Sequence, residues 1–246
     1  MKLVIAGASG QLGRHVMAAA TAAGHEATGL SRAAGVDLLT GRGLAQALQG
    51  ADAVIDASAT SSTRARDSIE FFGAATRNLL DAEKDAGVGH HVAISIIGAA
   101  KINANYYAGK KVQEELLAAQ PGRFTLLHTT QFHEFVHQIM NAASLGKLSL
   151  VPSMRSQPVA AAEVAARLVQ LAGQGPAGIA APMAGPREEN MADMVRRYLQ
   201  ATGQHRTVLQ FPLPGAWGRG MRDGSLLPGS NAQLGAQSFE QWLQHQ

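Results

Sequence analysis

The sequence predicts an α/β fold, a mainly parallel sheet covered by helices on both faces, and two observations carry that prediction. Over the first 130 or so residues, apolar runs of strand length alternate with longer segments of helical periodicity, as strands joined by crossover helices do. The first run, Leu3 to Ala6, breaks into Gly7-Ala8-Ser9-Gly10-Gln11-Leu12-Gly13 and then into an alanine-rich helical pattern, Arg14 to Ala23. Strand, glycine turn and helix, in that order, open a doubly wound sheet.

Each glycine of that loop has a physical task. Gly7 lets the chain turn sharply off the strand, Gly10 removes a side chain where a pyrophosphate approaches the backbone, and Gly13 lets the helix pack on the sheet. The helix then directs its free N–H groups and positive dipole end at the phosphates. Gly7, Ser9, Gly10, Gln11 and Leu12 are therefore expected to hold a dinucleotide in a Rossmann-type fold; a purely structural turn is the competing explanation. The spacing G-x-x-G-x-x-G resembles that of the short-chain dehydrogenase/reductase superfamily, and within it the extended and atypical members. These commonly carry threonine before the first glycine, where this chain has Ala6.

Composition narrows the class. With 246 residues, 46% hydrophobic and 16% charged, the chain suits a single α/β unit with an appendage. We expect an NAD(P)-binding Rossmann domain over residues 1–150 and a smaller C-terminal substrate-side lobe over 151–246, packed on it within one structural unit. The apolar stretches are too short and too often broken to span a bilayer, and Met1 to Ala6 runs straight into the glycine loop, so no membrane partner and a cytoplasmic location are expected. Cysteine is absent, which excludes disulfides and thiolate chemistry. A formal charge of +3 without long Lys/Arg runs reads as solvated surface rather than a nucleic-acid face; the partner expected is a small-molecule substrate, with no nucleic acid. A monomer or homodimer is expected.

Further along, His25 to Leu30 reads as the second strand, ending at Ser31-Arg32. An acidic residue at this point binds the adenosine ribose, whereas a basic one accommodates the extra phosphate of NADP. Ser31 and Arg32, with Arg14 as a helper, thus favour NADP(H) over NAD(H); a plain surface arginine is the alternative. Val36 to Leu39 reads as a short third strand, and Asp37-Leu38 matches the Asp-aliphatic pair that extended short-chain proteins place beside the adenine. Gly43 to Gln49 reads as a helix, and Ala51 to Ala59 as a buried strand whose end, Ala57, Ser58 and Ala59, walls the cofactor. A long crossover helix follows over Asp67 to Ala86, and His91 to Gly98 is the fifth strand.

The residues able to do chemistry come next. Tyr106 and Lys110 stand four apart on a predicted helix and share a face. Such a lysine holds a ribose and lowers the pKa of a neighbouring phenol, which can then relay a proton during carbonyl reduction. Ser95, at the end of the fifth strand, can orient the carbonyl. Ser95, Tyr106 and Lys110 match the superfamily's catalytic set, although Tyr107 and Lys111 repeat the pair one residue along and leave the register open. The run from Tyr106 to Leu117, followed by Thr125 to Phe132, resembles the NmrA-like atypical branch, in which Lys110 is the matching lysine. In this branch an arginine is expected where the chain has His128.

The sixth strand, Phe124 to Thr129, leads to Gln131, Phe132 and His133, which the resemblance places beside nicotinamide and substrate. His133-Glu134-Phe135-Val136-His137 also spells H-E-x-x-H, but its longer form is not continued, and no metal is expected. A helix from Gln157 to Leu171 is predicted, then a helix over Asn190 to Thr202, a strand over Thr207 to Phe211 and a helical turn from Ser238. Pro212 to Gly220 reads as a loop whose Trp217 either stacks on substrate or anchors the loop. The expected function is NADPH-dependent hydride transfer to a small carbonyl, quinone or related electrophile. The alternative is a non-catalytic NAD(P)-sensing regulator, of the NmrA type, that binds a protein partner.

Overall fold

The structure, a computed structural model, describes residues 1–142 and 144–246. In chain order it runs β1 (Lys2–Ala6), α1 (Gln11–Ala22), β2 (Glu26–Gly29), α2 (Leu44–Ala47), β3 (Ala53–Asp56), α3 (Ala65–Ala86), β4 (His91–Ile96), α4 (Ala99–Ile102), α5 (Tyr106–Ala118) and β5 (Phe124–Thr129). There follow α6 (Phe135–Ala142), β6 (Ser144–Leu145), β7 (Leu148–Pro152), β8 (Arg155–Ser156), α7 (Ala161–Ala172), β9 (Gly178–Ile179) and β10 (Met183–Ala184). The chain ends with β11 (Glu189–Asn190), α8 (Met191–Ala201), β12 (Thr207–Phe211), α9 (Gly215–Arg222), β13 (Gln233–Leu234) and α10 (Phe239–Leu243).

These elements form two compact units that interleave in sequence. The first holds Met1–Ser95, Ala104–His128 and Ala162–Ala180; the second holds Ile96–Asn103, Thr129–Ala161 and Ala181–Gln246. The boundary expected at residue 150 does not coincide with this division, because the chain returns to the first unit after residue 161, where β9 pairs with β5.

In the first unit the strand order is β2-β1-β3-β4-β5, with β9 on β5. Val4 lies opposite Thr28 of β2 on one side and Val54 of β3 on the other, both in parallel register. Leu3, Val4, Ile5, Val54 and Ile55 are fully buried, as the unbroken apolar runs of a sheet covered on both faces require. Val4 and Val54 pack with Leu44, Leu48 and Leu79, while Ala93 and Leu126 pack with Leu117 of α5. Helices α3 and α5 approach so closely that a Cβ on Gly109 would lie 2.2 Å from Ser68 Oγ. That hydroxyl donates a hydrogen bond of 2.7 Å to the Tyr106 carbonyl.

The third strand expected at Val36 to Leu39 is not formed. Ser31 instead caps a 3₁₀ turn, Arg32–Ala34, which ends at Gly35 in the left-handed region. The Asp37 carboxylate then accepts the Leu39 N–H at 2.8 Å, and the Asp37 N–H donates to the Arg42 carbonyl. Local bonds have captured the groups a sheet ladder would need. Val36 keeps its apolar role within the core of the unit, and the strands expected as fifth and sixth become β4 and β5.

In the second unit β12 runs parallel to β7, with Leu209 opposite Leu150, and β6 pairs antiparallel with β7. Helix α8 is capped by Asn190, whose side-chain oxygen accepts the Ala192 N–H at 2.9 Å. A Ser238–Gln241 capping box starts α10. The loop expected over Pro212 to Gly220 is largely helix α9. Its glycines serve packing: a Cβ on Gly218 would lie 1.9 Å from the Leu213 carbonyl oxygen, and one on Gly220 would lie 2.4 Å from Ile102 Cδ1. Among the described residues no helix is long and apolar enough to cross a membrane.

Candidate functional site

The strand order reverses at β1, which has β2 on one side and β3 on the other. Ligands of open α/β sheets lie beyond the carboxyl ends of the strands at such a point, and the glycine loop leaves β1 there. Gly7 has φ +75°, and a Cβ on it would come within 2.7 Å of the Ala57 carbonyl oxygen and the Ser58 Cα. The loop and the end of β3 therefore meet backbone to backbone. A Cβ on Gly13 would sit 2.0 Å from the Gly7 carbonyl oxygen, and one on Gly29 would press on the Ala8 methyl at 2.6 Å. Gly29 is a contributor that the sequence analysis passed over, since it read only as part of a strand.

Helix α1 begins at Gly10 without a side-chain cap and without an acidic residue in its first turn. Its positive end thus carries no capping side chain that an external anion would have to displace. Ser9 and Gly10 are exposed, so the cradle is open. Arg14, on the first turn of α1, donates to the Ser9 carbonyl at 3.0 Å and places a guanidinium beside the loop. Ser58 Oγ, behind Gly7, is buried and meets no hydrogen-bond partner among the described residues. An uncapped helix end, a glycine-rich loop and an adjacent cation fit the pyrophosphate of a dinucleotide. Beyond Ala57 and Ser58, Ala59 is exposed.

Past the end of β2, Ser31 Oγ accepts the Ala34 N–H at 3.2 Å, while Arg32 is exposed. Asp37 and Leu38 sit in the turn that replaced the expected strand, held by Asn78 Nδ2, which donates to the Leu38 carbonyl at 2.8 Å and the Leu39 carbonyl at 2.9 Å.

Tyr106 and Lys110 share a face of α5, and Phe72 of α3 identifies it. The Tyr106 ring meets Phe72 edge-on at 5.5 Å, and Lys110 Nζ lies 4.2 Å from the same ring's centre. Lys111, in contrast, is partly exposed and pairs with Glu115 at 3.6 Å. Lys110 is only 4% exposed, and its ammonium donates to the Ile94 carbonyl and to Gln113 Oε1, both at 2.9 Å. Gln113 Nε2 in turn donates to Asp56 Oδ2 at 2.8 Å. Burial pushes the Lys110 pKa down to about 8, against the pull of Asp56 and Glu114. Burial also pushes the Tyr106 phenol above its ordinary value, with the Asp56 charge and Tyr107 acting the same way. No group lowers it, contrary to the activation that the Tyr–Lys spacing suggested.

Ser95 is fully buried, and its hydroxyl donates to Glu114 Oε1 at 2.6 Å. His128 Nε2 lies 3.2 Å from the same oxygen, so a histidine occupies the place where the resemblance expects an arginine and meets a carboxylate there. Burial opposes ionisation of Glu114, but the hydrogen bonds with His128 and Ser95 hold its pKa below the usual value. Asp56, Gln113 and Glu114 were missed from the sequence. The available signals were a charged residue closing the apolar run Ala53 to Ile55 and two polar residues one helical turn beyond Lys110.

The residues expected on the substrate side all belong to the second unit. Gln131 is buried and accepts the Ser156 hydroxyl at 3.2 Å, Phe132 is half-buried and bridges to Val159, and Trp217 is half-buried on α9. His133 is 1% exposed; its Nε2 lies 3.0 Å from the Gln237 carbonyl oxygen, and its ring packs near Phe239 and Trp242. His133 is an internal anchor for the C-terminal segment. It also precedes α6, and His137, on that helix, packs on Tyr198 and on the same Trp242. Among the described residues no group of three His, Asp or Glu is placed to hold a metal ion.

Comparison with known proteins decides what this cradle belongs to. Residues 7–174 match the model of the NAD(P)H-binding family. The chain belongs to that family. No curated protein matches it. Solved structures similar to this NAD(P)H-binding protein include the NADPH-dependent quinone oxidoreductase QOR2 of Escherichia coli complexed with NADPH, at 18% identity, TM-score 0.74 and 99% coverage of both chains. A nucleoside-diphosphate-sugar epimerase of Staphylococcus aureus matches at 15% identity and TM-score 0.72, over 99% of this chain and 100% of its own. A short-chain dehydrogenase/reductase superfamily protein of Agrobacterium tumefaciens with bound NAD matches at 17% identity and TM-score 0.70, over 100% of this chain and 95% of its own. At these identities the likeness is one of fold, the Rossmann-type α/β fold. The family match and the shared fold together support the resemblance to the atypical short-chain dehydrogenases.

Proposed function

We propose that the protein is an NADPH-dependent oxidoreductase of the NmrA-like atypical branch, transferring hydride to a small carbonyl, quinone or related electrophile. The observation that carries this reading is the open glycine cradle at the uncapped start of α1, with Arg32 where NAD-specific sites place an acid. Gly7, Ser9, Gly10, Gln11 and Leu12 hold the pyrophosphate; Ser31 and Arg32 take the 2′-phosphate; Asp37 and Leu38 border the adenine; Ala57, Ser58 and Ala59 wall the adenosine side. When bound, the dinucleotide supplies the hydride. The preference for NADP(H) rests on Arg32, which is exposed and meets no carboxylate among the described residues. It accords with the NADPH carried by the quinone oxidoreductase of the same fold.

The chain's own groups then divide the remaining work. Lys110 is a positioning residue: through the Ile94 carbonyl and the Gln113–Asp56 link it ties the ends of β3 and β4 together. Tyr106, with its raised pKa, stays protonated at neutral pH and acts as a proton donor rather than a base. Ser95 orients Glu114 rather than a carbonyl. Phe132 and Trp217, both half-buried, are the second unit's candidates for substrate contact.

A second reading has one specific observation in its favour. Ser95 and Lys110 are both committed to internal hydrogen bonds, which suits a protein that binds NAD(P) and signals its presence to a partner. Steady-state NADPH oxidation with a panel of quinones and aldehydes separates the two. Turnover is expected with at least one acceptor; retained NADPH binding with no turnover on any acceptor would sink the enzyme and leave the sensor. Tyr106→Phe should keep cofactor affinity and slow turnover by about 10²–10⁴-fold where proton transfer limits the rate. A normal rate would assign the proton to water or substrate.

A further inference from the structure

In the second unit a cavity of about 580 Å³ lies between the C-terminal end of α8 and the start of β12. Arg196, His205 and Arg206 line it together with Lys147, from the turn before β7; Leu199 and Val208 supply apolar wall, and among the described residues no carboxylate takes part in the lining. Arg196 is held by Asp193. Lys147, His205 and Arg206 meet no carboxylate among the described residues.

Cations often gather at a helix C-terminus to complement its dipole and cap its last carbonyls. Here the capping is already done by the backbone: the N–H groups of Thr202, Gly203 and Gln204 donate to the carbonyls of Tyr198, Gln200 and Leu199, so the cations are not needed for it. What is left is a set of cations around a concavity, against like-charge repulsion, with an apolar wall behind them. The volume falls in the range of small-molecule sites, about 300–1,000 Å³. The cations ring one cavity rather than forming the stripe that follows a nucleic-acid backbone.

We propose that this cavity is a second anion site, separate from the glycine cradle, that takes a phosphorylated small molecule with an apolar or aromatic body. Lys147 and Arg206 bind the phosphate through charge-assisted hydrogen bonds, His205 adds a further polar contact, and the organic part lies on Leu199 and Val208. Nothing in this assignment depends on the hydride-transfer reading.

The test uses the full chain saturated with NADPH, so that the glycine cradle is filled, and phenyl phosphate as the probe, followed by calorimetry and by amide chemical shifts. Saturable binding is expected, with shifts at residues 199–208. It should weaken about tenfold or more in Arg206→Ala and in Lys147→Ala, and weaken as salt is raised. Phenol, which lacks the phosphate, should not compete. NADPH affinity and melting temperature should be unchanged in both variants. Absence of saturable binding at millimolar probe would overturn the proposal, as would equal affinity in wild type and both variants. A loss of NADPH affinity in step with probe affinity would also overturn it, since the probe would then be reporting on the glycine cradle.

Discussion

Lys110→Met isolates the cost of a buried charge. In the wild type, burial lowers the Lys110 pKa from 10.5 to about 8. Between those values the unfolded chain holds a proton that the folded chain has released, so stability must rise with pH. Integrated from neutrality, the two values give a gain of about 2 kcal/mol by pH 9.5, approaching about 3 kcal/mol above pH 10.5. Methionine keeps the apolar stem over Phe72 and removes the charge. It also orphans two buried acceptors, the Ile94 carbonyl and Gln113 Oε1, at about 1–3 kcal/mol each. At pH 7 these effects oppose each other and the variant should unfold near the wild-type denaturant midpoint or somewhat below it. Urea titrations at half-unit intervals from pH 7 to 9.5 provide the assay, and the wild-type-minus-variant difference cancels the other titrating groups. The wild type should gain about 2 kcal/mol relative to Lys110→Met across that range. Parallel curves would show that Lys110 is not buried as a cation, and the link from Ile94 through Lys110 and Gln113 to Asp56 would fall with it.

Gly13→Ala should destabilise the fold by about 1–3 kcal/mol or more and abolish dinucleotide binding, since its methyl would sit 2.0 Å from the Gly7 carbonyl oxygen; thermal melts and calorimetry read both effects, and a wild-type melt would refute the packing. Arg32→Ala should weaken NADP(H) by about tenfold or more while leaving NAD(H) affinity unchanged, the loss of one charge-assisted contact. An unaltered NADP/NAD ratio would remove Arg32 from the site. Ser95→Ala should lower stability by about 1 kcal/mol, because Glu114 loses one donor, with turnover retained. A rate loss at constant stability and constant cofactor affinity would return Ser95 to the chemistry.

The parts of the fold that were legible in the sequence are those with a long or unbroken pattern. The run Phe124 to Thr129 became β5 and Thr207 to Phe211 became β12, each with the expected limits. The crossover helix α3 starts two residues earlier than its periodicity suggested. The short strand expected at Val36 to Leu39 failed for a physical reason: there local hydrogen bonds outweigh propensity. At Val36 to Leu39 the Asp37 carboxylate and a left-handed Gly35 decided the matter. The glycines of α9 misled in the opposite direction, because sequence alone does not tell a glycine needed for φ from one needed for close contact. Gly218 and Gly220 are of the second kind.

Much the same contrast holds within the site. The turn at Gly7 and the close packing at Gly13 were legible because the positive φ of the one and the contact of the other fall within one strand–turn–helix unit. The environment of Lys110 was not, because its partners come from β3, β4 and the next turn of its own helix, and only the strand order brings Asp56 within reach of Gln113. The choice between Lys110 and Lys111 was open for the same reason. Helical spacing offers two equivalent pairs, and the packing of α5 on α3 separates them by turning one lysine over Phe72 and the other toward Glu115 and solvent. That rotation also inverts the expected electrostatics. A lysine turned into the helix–sheet interface loses solvation, donates inward and becomes easier to deprotonate, while the tyrosine one turn earlier becomes harder to ionise. Tyrosine and lysine at the spacing of an acid–base pair are here a phenol made harder to ionise and an ammonium held on internal acceptors. The pH dependence of any turnover should therefore follow the lysine near pH 8 rather than an activated phenol.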